Sequence, residues 1–473
     1  MITPGSSKHT LDAAFKPESI AVIGASNRGR LGGADMRFLI ESGYKGTIYP
    51  VNPKEDTIQG CKAYRSVLEI PGPVDRAVII LSKKMVPAAL KECAEKGVKV
   101  VQIYAAGFGE FGDEGKALEK ELLSIIKGRD IRIIGPNCIG THCPSSGITF
   151  TKGSSLIPGS IAFVSQSGGI TFDMVTRGKT MGIHYSKAIS VGNCIDLDHP
   201  DYLEYLVGDQ DTKAIGFYIE NVKNMSRFIE LLKEAATKKP VVILKGGRTE
   251  SGYRSVDWHT GNETGDYESW ESLIKTTGAI SVKTIDEMLS ALVSFQYLQP
   301  FRNGDVAIVG NGGGASVLSA DYCGEFGLQL AKLSAETCRR LIESGVSNPD
   351  WNLNPVDMPA GVLVEDEGKL FGKVIKAFSD DQSVKYILFH INLVPVMNYF
   401  DLDFVVKKLV EELSAVDRTK TNLSVVLRYN GEPEIEKIRY ATSCALLEKG
   451  IPVYPLIEQA AFGISIVAGC SKN

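Results

Sequence analysis

The sequence lacks the features that mark several large classes of protein. Its 473 residues carry a formal net charge of −4 at pH 7, so no basic field predicts binding to nucleic acid or to an anionic membrane surface. No apolar run approaches the length of a membrane span, and the segment Met1–Ser7 has no apolar signal-peptide core. These absences predict a cytoplasmic protein that binds neither nucleic acid nor a membrane.

Paired cysteines are also missing. The 9 cysteines are scattered along the chain without a CxxC pair, which argues against a disulfide framework and against a zinc site. Cys138 and Cys143 are separated by too much chain for a standard zinc knuckle. We therefore predict no metal site in this chain.

Strands alternate with helices along the whole chain, in an otherwise ordinary composition. Hydrophobic residues make up 44% and charged residues 23%, as in typical globular proteins, and the length suits about three domains. The alternation predicts an α/β fold with three doubly wound domains built on parallel sheets. We place them at residues 1–145, 155–300 and 301–473, and we interpret Thr141–Gly159, rich in Ser, Thr, Pro and Gly, as a linker.

Polar or glycine-containing turns follow the predicted strands of the first domain. The turn Gly24–Gly32 precedes a helix, as at the phosphate site of Rossmann-type sheets, but it contains no GxGxxG. The second strand ends in Val51–Lys54, with no acid there to hold a ribose, which counts against NAD. Ordinary βα turns are the alternative. Together the turns predict one crevice for a nucleotide-like ligand at the carboxyl ends of the strands. The candidate residues are Gly24, Ala25, Ser26, Asn27, Arg28, Val51, Asn52, Pro53, Lys54, Ser82, Ala106, Gly107, Phe108, Pro136, Asn137 and Cys138.

Two later strands each end in a small, polar turn that opens a helix. Backbone N–H groups and the helix dipole make both turns predicted sites for a phosphate or a carboxylate. A plain tight turn or a serine nucleophile elbow is the alternative for the first turn, although an elbow requires GxSxG. The candidate phosphate-binding residues are Ser165, Gln166, Ser167, Gly168 and Gly169 in the first turn, and Gly312, Gly313 and Gly314 in the second.

One of the 6 histidines, His259, lies in the glycine- and hydroxyl-rich segment Lys245–Gly261, which follows an apolar predicted strand. The composition of this segment predicts a mobile loop rather than core. A surface loop with an incidental histidine is the alternative. Two anion-binding turns and one imidazole on a loop together predict phosphoryl carriage, in which the histidine accepts the group and the turns neutralise its charge.

These motifs resemble the alpha subunit of the NDP-forming acyl-CoA synthetases, the ADP-forming acetyl-CoA synthetase group of the succinyl-CoA synthetase superfamily. Lys245–Arg248 leading to His259 resembles the phosphohistidine segment of the family, Tyr218–Glu220 resembles the segment whose glutamate orients that histidine, and Asn354–Asp357 matches a further signature. The segment departs from the family at Trp258, where a serine is usual, and at Asn262–Thr264.

The resemblance implies a Rossmann-like CoA-binding domain followed by two flavodoxin-like ligase-CoA domains. It further implies that His259 is the phosphorylated residue, that Glu220 orients it, and that the first crevice binds CoA. The implied reaction converts a small carboxylic acid, CoA and ATP into acyl-CoA, ADP and phosphate. No ATP-grasp segment is visible, so an ATP-grasp beta subunit would hold ATP and Mg²⁺ in a heterotetramer. A non-catalytic CoA-binding or sensing paralogue is the alternative.

Overall fold

The computed structural model describes residues 6–28, 31–260, 267–301, 305–345 and 353–470. Its contacts divide the chain into two compact units, Met1–Met288 and Leu289–Asn473. The predicted boundary near residue 150 lies inside the first unit, so the division into three domains remains a prediction. No helix in these described ranges is long and apolar enough to span a bilayer.

The first unit begins with a parallel sheet of five strands in the order β2-β1-β5-β6-β7, which confirms the predicted strand–helix alternation. The chain leaves β1 toward β2 on one side and then crosses to β5 on the other, so the topological switch point lies between β1 and β5. The elements are α1 Ser6–Phe15, β1 Ser19–Ile23, α2 Leu31–Glu41, β2 Thr47–Val51, β3 Thr57–Ile58, β4 Cys61–Lys62, β5 Arg76–Ile79, α3 Val86–Lys96, β6 Val100–Ile103, α4 Asp113–Ile126 and β7 Arg132–Ile134.

A second sheet of the same unit has six strands in the order β13-β12-β11-β9-β10-β8. All its neighbours are parallel except β8, which pairs antiparallel with β10. The elements are β8 Thr141–His142, β9 Ile161–Ser165, α5 Gly168–Thr180, β10 Tyr185–Ser190, α6 His199–Gly208, β11 Ala214–Ile219, α7 Met225–Ala236, β12 Val241–Lys245, α8 Glu250–Thr260, α9 Tyr267–Lys275 and β13 Ile280–Val282. The next helix, α10 Ile285–Tyr297, begins in this unit and ends in the second.

Both sheets of the first unit contribute to one hydrophobic core. Val22 and Ile134 of the first sheet belong to the same buried cluster as Val164 and Ile243 of the second. Strands that are buried on both faces read as continuous apolar runs, which is why the sequence predicts them well.

Two predictions for this unit are wrong. The segment Thr141–Gly159 is not a simple linker, since its first residues form the edge strand β8 and His142 and Cys143 are fully buried. The segment Lys245–Gly261 is not a loop over its second half, because Glu250–Thr260 forms α8. The Thr249 hydroxyl explains the helix start, since it accepts a hydrogen bond from the Gly252 amide at 3.1 Å.

The second unit contains a parallel sheet of five strands in the order β15-β14-β16-β17-β18, with a switch point at the end of β14. Its core includes a large cluster of aliphatic and aromatic side chains that contains Phe371, Phe389 and Leu427. The elements are β14 Asp305–Gly310, α11 Gly313–Glu325, α12 Ala335–Glu343, β15 Val356–Asp357, α13 Lys369–Asp380, β16 Val384–Asn392, α14 Leu393–Tyr399, α15 Leu402–Ser414, β17 Asn422–Arg428, α16 Pro433–Glu448, β18 Val453–Tyr454 and α17 Ile457–Cys470.

Candidate active site

The turn after β1 lies at the switch point of the first sheet, where an open α/β sheet binds its ligand. Gly24 has a φ of +92°, and a Cβ at this position would lie 2.4 Å from the carbonyl oxygen of Ile80, so only glycine fits. The turn after β2 is held beside it, because Asn52 donates a hydrogen bond from its amide to the Ala25 carbonyl at 2.8 Å. The structure therefore brings the first two predicted turns together.

The predicted CoA-binding residues differ in how far they reach the surface. Arg28 and Lys54 are exposed, and neither forms an ion pair with a residue in the described ranges, so both can meet the phosphates of a nucleotide-like ligand. The other exposed candidates are Asn27, Pro53, Ser82 and Ala106. The half-buried ones are Gly24, Ser26, Asn52 and Asn137, and the buried ones are Ala25, Val51, Gly107, Phe108, Pro136 and Cys138.

Sequence reasoning missed the residues that hold the turn after β6. Glu110 accepts a hydrogen bond from the Gly107 amide at 2.6 Å, and Glu119 accepts one from the Gly109 amide at 3.0 Å. Asn193 joins both acids through its side-chain amide, at 2.7 and 2.9 Å. No sequence motif marks these three residues, because Asn193 lies 83 and 74 residues from the two acids that it joins.

The turn after β9 presents an anion-binding helix start in the second sheet. The Ser167 hydroxyl caps α5 by accepting a hydrogen bond from the Ile170 amide, and the Ser165 hydroxyl bridges the turn to the Ser167 carbonyl at 2.9 Å. No residue in the described ranges accepts a hydrogen bond from the amides of Gly168 and Gly169. These two amides and the helix dipole can stabilise an anion.

The side chain of Gln166, in the same turn, forms hydrogen bonds to the residues that follow β11. Its side-chain carbonyl accepts hydrogen bonds from the backbone amides of Glu220 and Asn221, and its side-chain NH₂ donates to the Asn221 side chain at 3.0 Å. The residue is only 6% exposed. The side chain of Gln166 therefore joins the turn after β9 to the end of β11.

Glu220 lies at the carboxyl end of β11, next to this turn. It is 6% exposed, so it is not a solvated surface acid, and its carboxylate accepts a hydrogen bond from the Tyr218 hydroxyl at 3.1 Å. Lys245, on the neighbouring strand β12, donates from its ammonium group to the Glu220 carbonyl at 2.8 Å. Burial lowers the pKa of Lys245 to about 8, and the charge of Glu220 opposes part of that shift.

The backbone of His259 belongs to α8, near its end. The side chains of His259 and Trp258, and the segment Asn262–Thr264, lie outside the described residues. The predicted bond between Glu220 and His259 therefore remains a prediction.

The turn after β14 borders a cavity of about 400 Å³ in the second unit. Arg428 donates to the Asn311 carbonyl, and the Asn311 side chain accepts from the Asn392 amide at 2.6 Å. The Asp357 carboxylate accepts a hydrogen bond from the Gly312 amide at 2.8 Å. The cavity thus combines the predicted glycine turn with one cation and one anion, and Met358, Pro359, Ala360 and Pro395 form its apolar wall.

A buried cluster of Cys194, Asp198 and His199 has ligand atoms within 4.8 Å of one another. The Asp198 carboxylate already lies 2.8 Å from the His199 ring nitrogen Nδ1 and accepts from the Lys223 amide at 2.9 Å, and it caps α6 in a capping box with Asp201. These bonds explain the cluster as a helix cap, and we assign no metal to it.

Two family models match the chain. Residues 18–144 match the CoA binding domain, and residues 158–295 match the succinyl-CoA ligase like flavodoxin domain. Among solved structures, the dinucleotide-forming acetyl-coenzyme A synthetase 1 of Ca. Korarchaeum cryptofilum, in complex with phosphate and ADP, superposes with a TM-score of 0.85. That comparison covers 98% of this chain and 97% of the other, at 27% sequence identity.

Two curated relatives are similar over most of the chain. The alpha subunit of acetate–CoA ligase [ADP-forming] II from Pyrococcus furiosus is 40% identical over 466 residues, which cover 98% of each chain. The 4-hydroxybutyrate–CoA ligase [ADP-forming] of Nitrosopumilus maritimus is 36% identical over 352 residues. The aligned region covers 73% of this chain and 50% of that relative. The chain therefore belongs to the alpha subunits of the ADP-forming acyl-CoA synthetases, in the succinyl-CoA synthetase superfamily, and is the CoA-binding subunit of an acid–thiol ligase.

Proposed function

We propose that this subunit carries a phosphoryl group on His259 during the ADP-forming synthesis of acyl-CoA. The observation that supports the proposal most strongly is the arrangement at the ends of β9 and β11. There the amides of Gly168 and Gly169, which have no hydrogen-bond acceptor in the part of the chain that the structure describes, open a helix beside the buried carboxylate of Glu220. An anion-binding turn next to a carboxylate suits a histidine that must be oriented and then phosphorylated.

In the synthetic direction, His259 takes the phosphoryl group from ATP and passes it to the carboxylic acid. The lone pair of a neutral imidazole nitrogen forms the N–P bond while the bond from phosphorus to the leaving oxygen of ADP breaks. The acid oxygen then attacks phosphorus and the N–P bond breaks, which regenerates His259 and gives an acyl phosphate. Glu220 accepts a hydrogen bond from the second ring nitrogen and so leaves the first free to attack.

The crevice of the first sheet supplies the site for CoA. Arg28 and Lys54 provide positive charge at its exposed rim, and the turn after β1, at the switch point of the sheet, would receive a phosphate of CoA. When bound, CoA contributes the thiol that displaces phosphate from the acyl group. The turns at Ala106–Phe108 and Pro136–Cys138 would border the arm that carries this thiol.

The cavity of the second unit suits a small carboxylic acid and the phosphate that it receives. Arg428 can pair with a carboxylate, Gly313 and Gly314 offer helix amides, and Met358 and Pro395 supply apolar contact for a short carbon chain. Its volume of about 400 Å³ is at the lower end of ligand cavities, which fits a short acid.

ATP and Mg²⁺ are proposed to bind mainly to an ATP-grasp beta subunit, in a heterotetramer of two alpha and two beta chains. We expect the purified chain alone to form no acyl-CoA from ATP, CoA and acid. Adding an ATP-grasp partner should restore ADP-forming synthesis, and a panel of carboxylic acids should then show which acid is preferred. Robust synthesis by the chain without a second protein would refute this division of labour.

A further inference from the structure

The backbone of Glu220 is held from both sides by long side chains of neighbouring strands. On one side, the side-chain carbonyl of Gln166 accepts a hydrogen bond from the Glu220 amide at 2.5 Å. On the other side, the Lys245 ammonium donates to the Glu220 carbonyl at 2.8 Å. We call Gln166 and Lys245 the Glu220 clamp.

Lys245 is an unusual residue to find in this position. It is 5% exposed, and besides Glu220 it donates to the carbonyl of Gly246 and lies 5.6 Å from the centre of the Trp270 ring. A buried ammonium needs such partners because burial without them strongly disfavours its charge. The cation is therefore fixed between the carboxyl ends of β11 and β12, where the candidate active site begins.

The groups around Glu220 restrict the positions that its backbone and side chain can adopt. A Cβ on Gly246 would lie 2.6 Å from the Tyr218 hydroxyl and 3.2 Å from the Glu220 side chain, so glycine at this position lets the two strands meet closely. Tyr218 then donates to the Glu220 carboxylate at 3.1 Å. With its amide, its carbonyl and its carboxylate all held, Glu220 has its orientation set before any substrate binds.

We propose that Lys245 and Gln166 are positioning residues, which fix Glu220 in the orientation that the phosphorylation of His259 requires. The inference rests on the proposed function and extends it. Gln166, predicted from the sequence to bind phosphate, is instead assigned the role of holding Glu220 in place. Misplacing a reacting group by about 1 Å can slow a reaction roughly 100-fold, so a loosened clamp should reduce rate rather than ligand affinity.

The test compares Lys245→Met with Lys239→Met in the full-length chain. Lys239 is a matched control because its ammonium also donates to two backbone carbonyls, those of Leu206 at 2.8 Å and Asp209 at 2.5 Å, just before β12 rather than at its carboxyl end. Each variant is incubated with acetyl-CoA and labelled inorganic phosphate, and the initial rate of phosphohistidine formation is measured over a range of phosphate concentrations.

We expect Lys245→Met to lower the maximal labelling rate roughly 10- to 100-fold, with the half-saturating phosphate concentration and CoA binding unchanged. Lys239→Met should label at the wild-type rate, even where its melting temperature falls. Gln166→Leu removes the other half of the clamp and should reproduce the loss of rate, which keeps the test decisive if Lys245→Met does not fold.

A pH profile separates positioning from a purely structural role. The charge of Lys245 interacts with that of Glu220, whose carboxylate also accepts a hydrogen bond from Tyr218, and burial lowers the pKa of Lys245 so that its charge is lost as the pH rises past about 8. The wild-type labelling rate should fall above this pH, and Lys245→Arg should keep its rate to higher pH because a guanidinium stays charged.

Wild-type labelling rates in folded Lys245→Met and Gln166→Leu, or an equal loss in Lys239→Met, would overturn the inference. His259→Ala distinguishes this failure from a failure of the proposed function. Full labelling in His259→Ala rejects the phosphohistidine itself, whereas loss of label in His259→Ala with normal rates in the clamp variants rejects only the positioning role.

Discussion

The carboxylate of Asp357 accepts a hydrogen bond from the amide of Gly312 at 2.8 Å, at the start of α11. One of the two predicted anion sites therefore already has a negative charge beside it, supplied by the edge strand β15. We expect a phosphate or carboxylate at Gly313 and Gly314 to be bound against this charge, which is offset by Arg428, whose guanidinium lies beside Gly312 and donates to the Asn311 carbonyl.

Asp357→Asn should strengthen the binding of inorganic phosphate to the chain. The amide side chain keeps an acceptor for Gly312 but removes the charge. At about 5 Å and a water-like dielectric, that charge is worth about 0.8 kcal/mol, or roughly fourfold in affinity. Phosphate titrations followed by calorimetry at low and high salt measure the effect, which should shrink as salt screens the charge. Unchanged or weaker phosphate binding would place the anion elsewhere.

Asp35 should make the stability of the first unit depend on pH. Burial raises the pKa of its carboxyl group from 3.8 to about 6, while the hydrogen bond from the Tyr104 hydroxyl at 2.8 Å opposes the shift. Since the folded pKa lies above the unfolded one, the contribution to stability is complete below about pH 4 and is lost as the pH rises through about 6.

Asp35→Asn removes this ionisation and should stabilise the protein at pH 7 by about 2–3 kcal/mol, with no gain at pH 4. Denaturant unfolding at both pH values provides the measurement. Asp56→Asn, at an exposed position, is the control and should change little at either pH. An equal effect of Asp35→Asn at both pH values would show that ionisation is not its cause.

Lys54→Gln should weaken CoA binding about fivefold, since an exposed charge pair contributes up to about 1 kcal/mol. The loss should be larger at low salt than at high salt. Lys91→Gln removes a similarly exposed charge from α3 and should leave CoA affinity unchanged.

Gly24 offers no clean test of the CoA site, because any side chain there would collide with the Ile80 carbonyl and disturb the sheet itself. Tight NAD binding without a CoA response would contradict the assignment of the crevice.

The sequence predicts the central strands well and the short edge strands poorly. β9, β11 and β12 are buried along their whole length or nearly so, and such apolar runs are visible in a single sequence. β8 and β15 have two residues each, which is too short for any periodicity. Their places are set by contacts with strands that are distant in sequence.

The wrong prediction at α8 and the unforeseen side-chain contacts of Gln166 have a similar origin. The small and hydroxyl-bearing residues after Gly246 favour a loop by composition, but the cap at Thr249 and the packing of Val256, which is 7% exposed, favour a helix. Gln166 belongs to a turn that fits an anion, yet its side chain points to the Glu220 backbone. The composition of a turn predicts that the backbone amides at the start of the helix can bind an anion. The direction of a side chain such as Gln166 depends instead on how the strands of the sheet are placed.

The most direct test of the account is to locate the phosphate on the chain. The wild-type protein, incubated with acetyl-CoA and labelled inorganic phosphate without a partner, should gain an acid-labile label that mass spectrometry assigns to the peptide containing His259. His259→Ala should gain no label and should still bind CoA with wild-type affinity. A label of wild-type intensity in His259→Ala, or one assigned to another residue, would contradict the central claim.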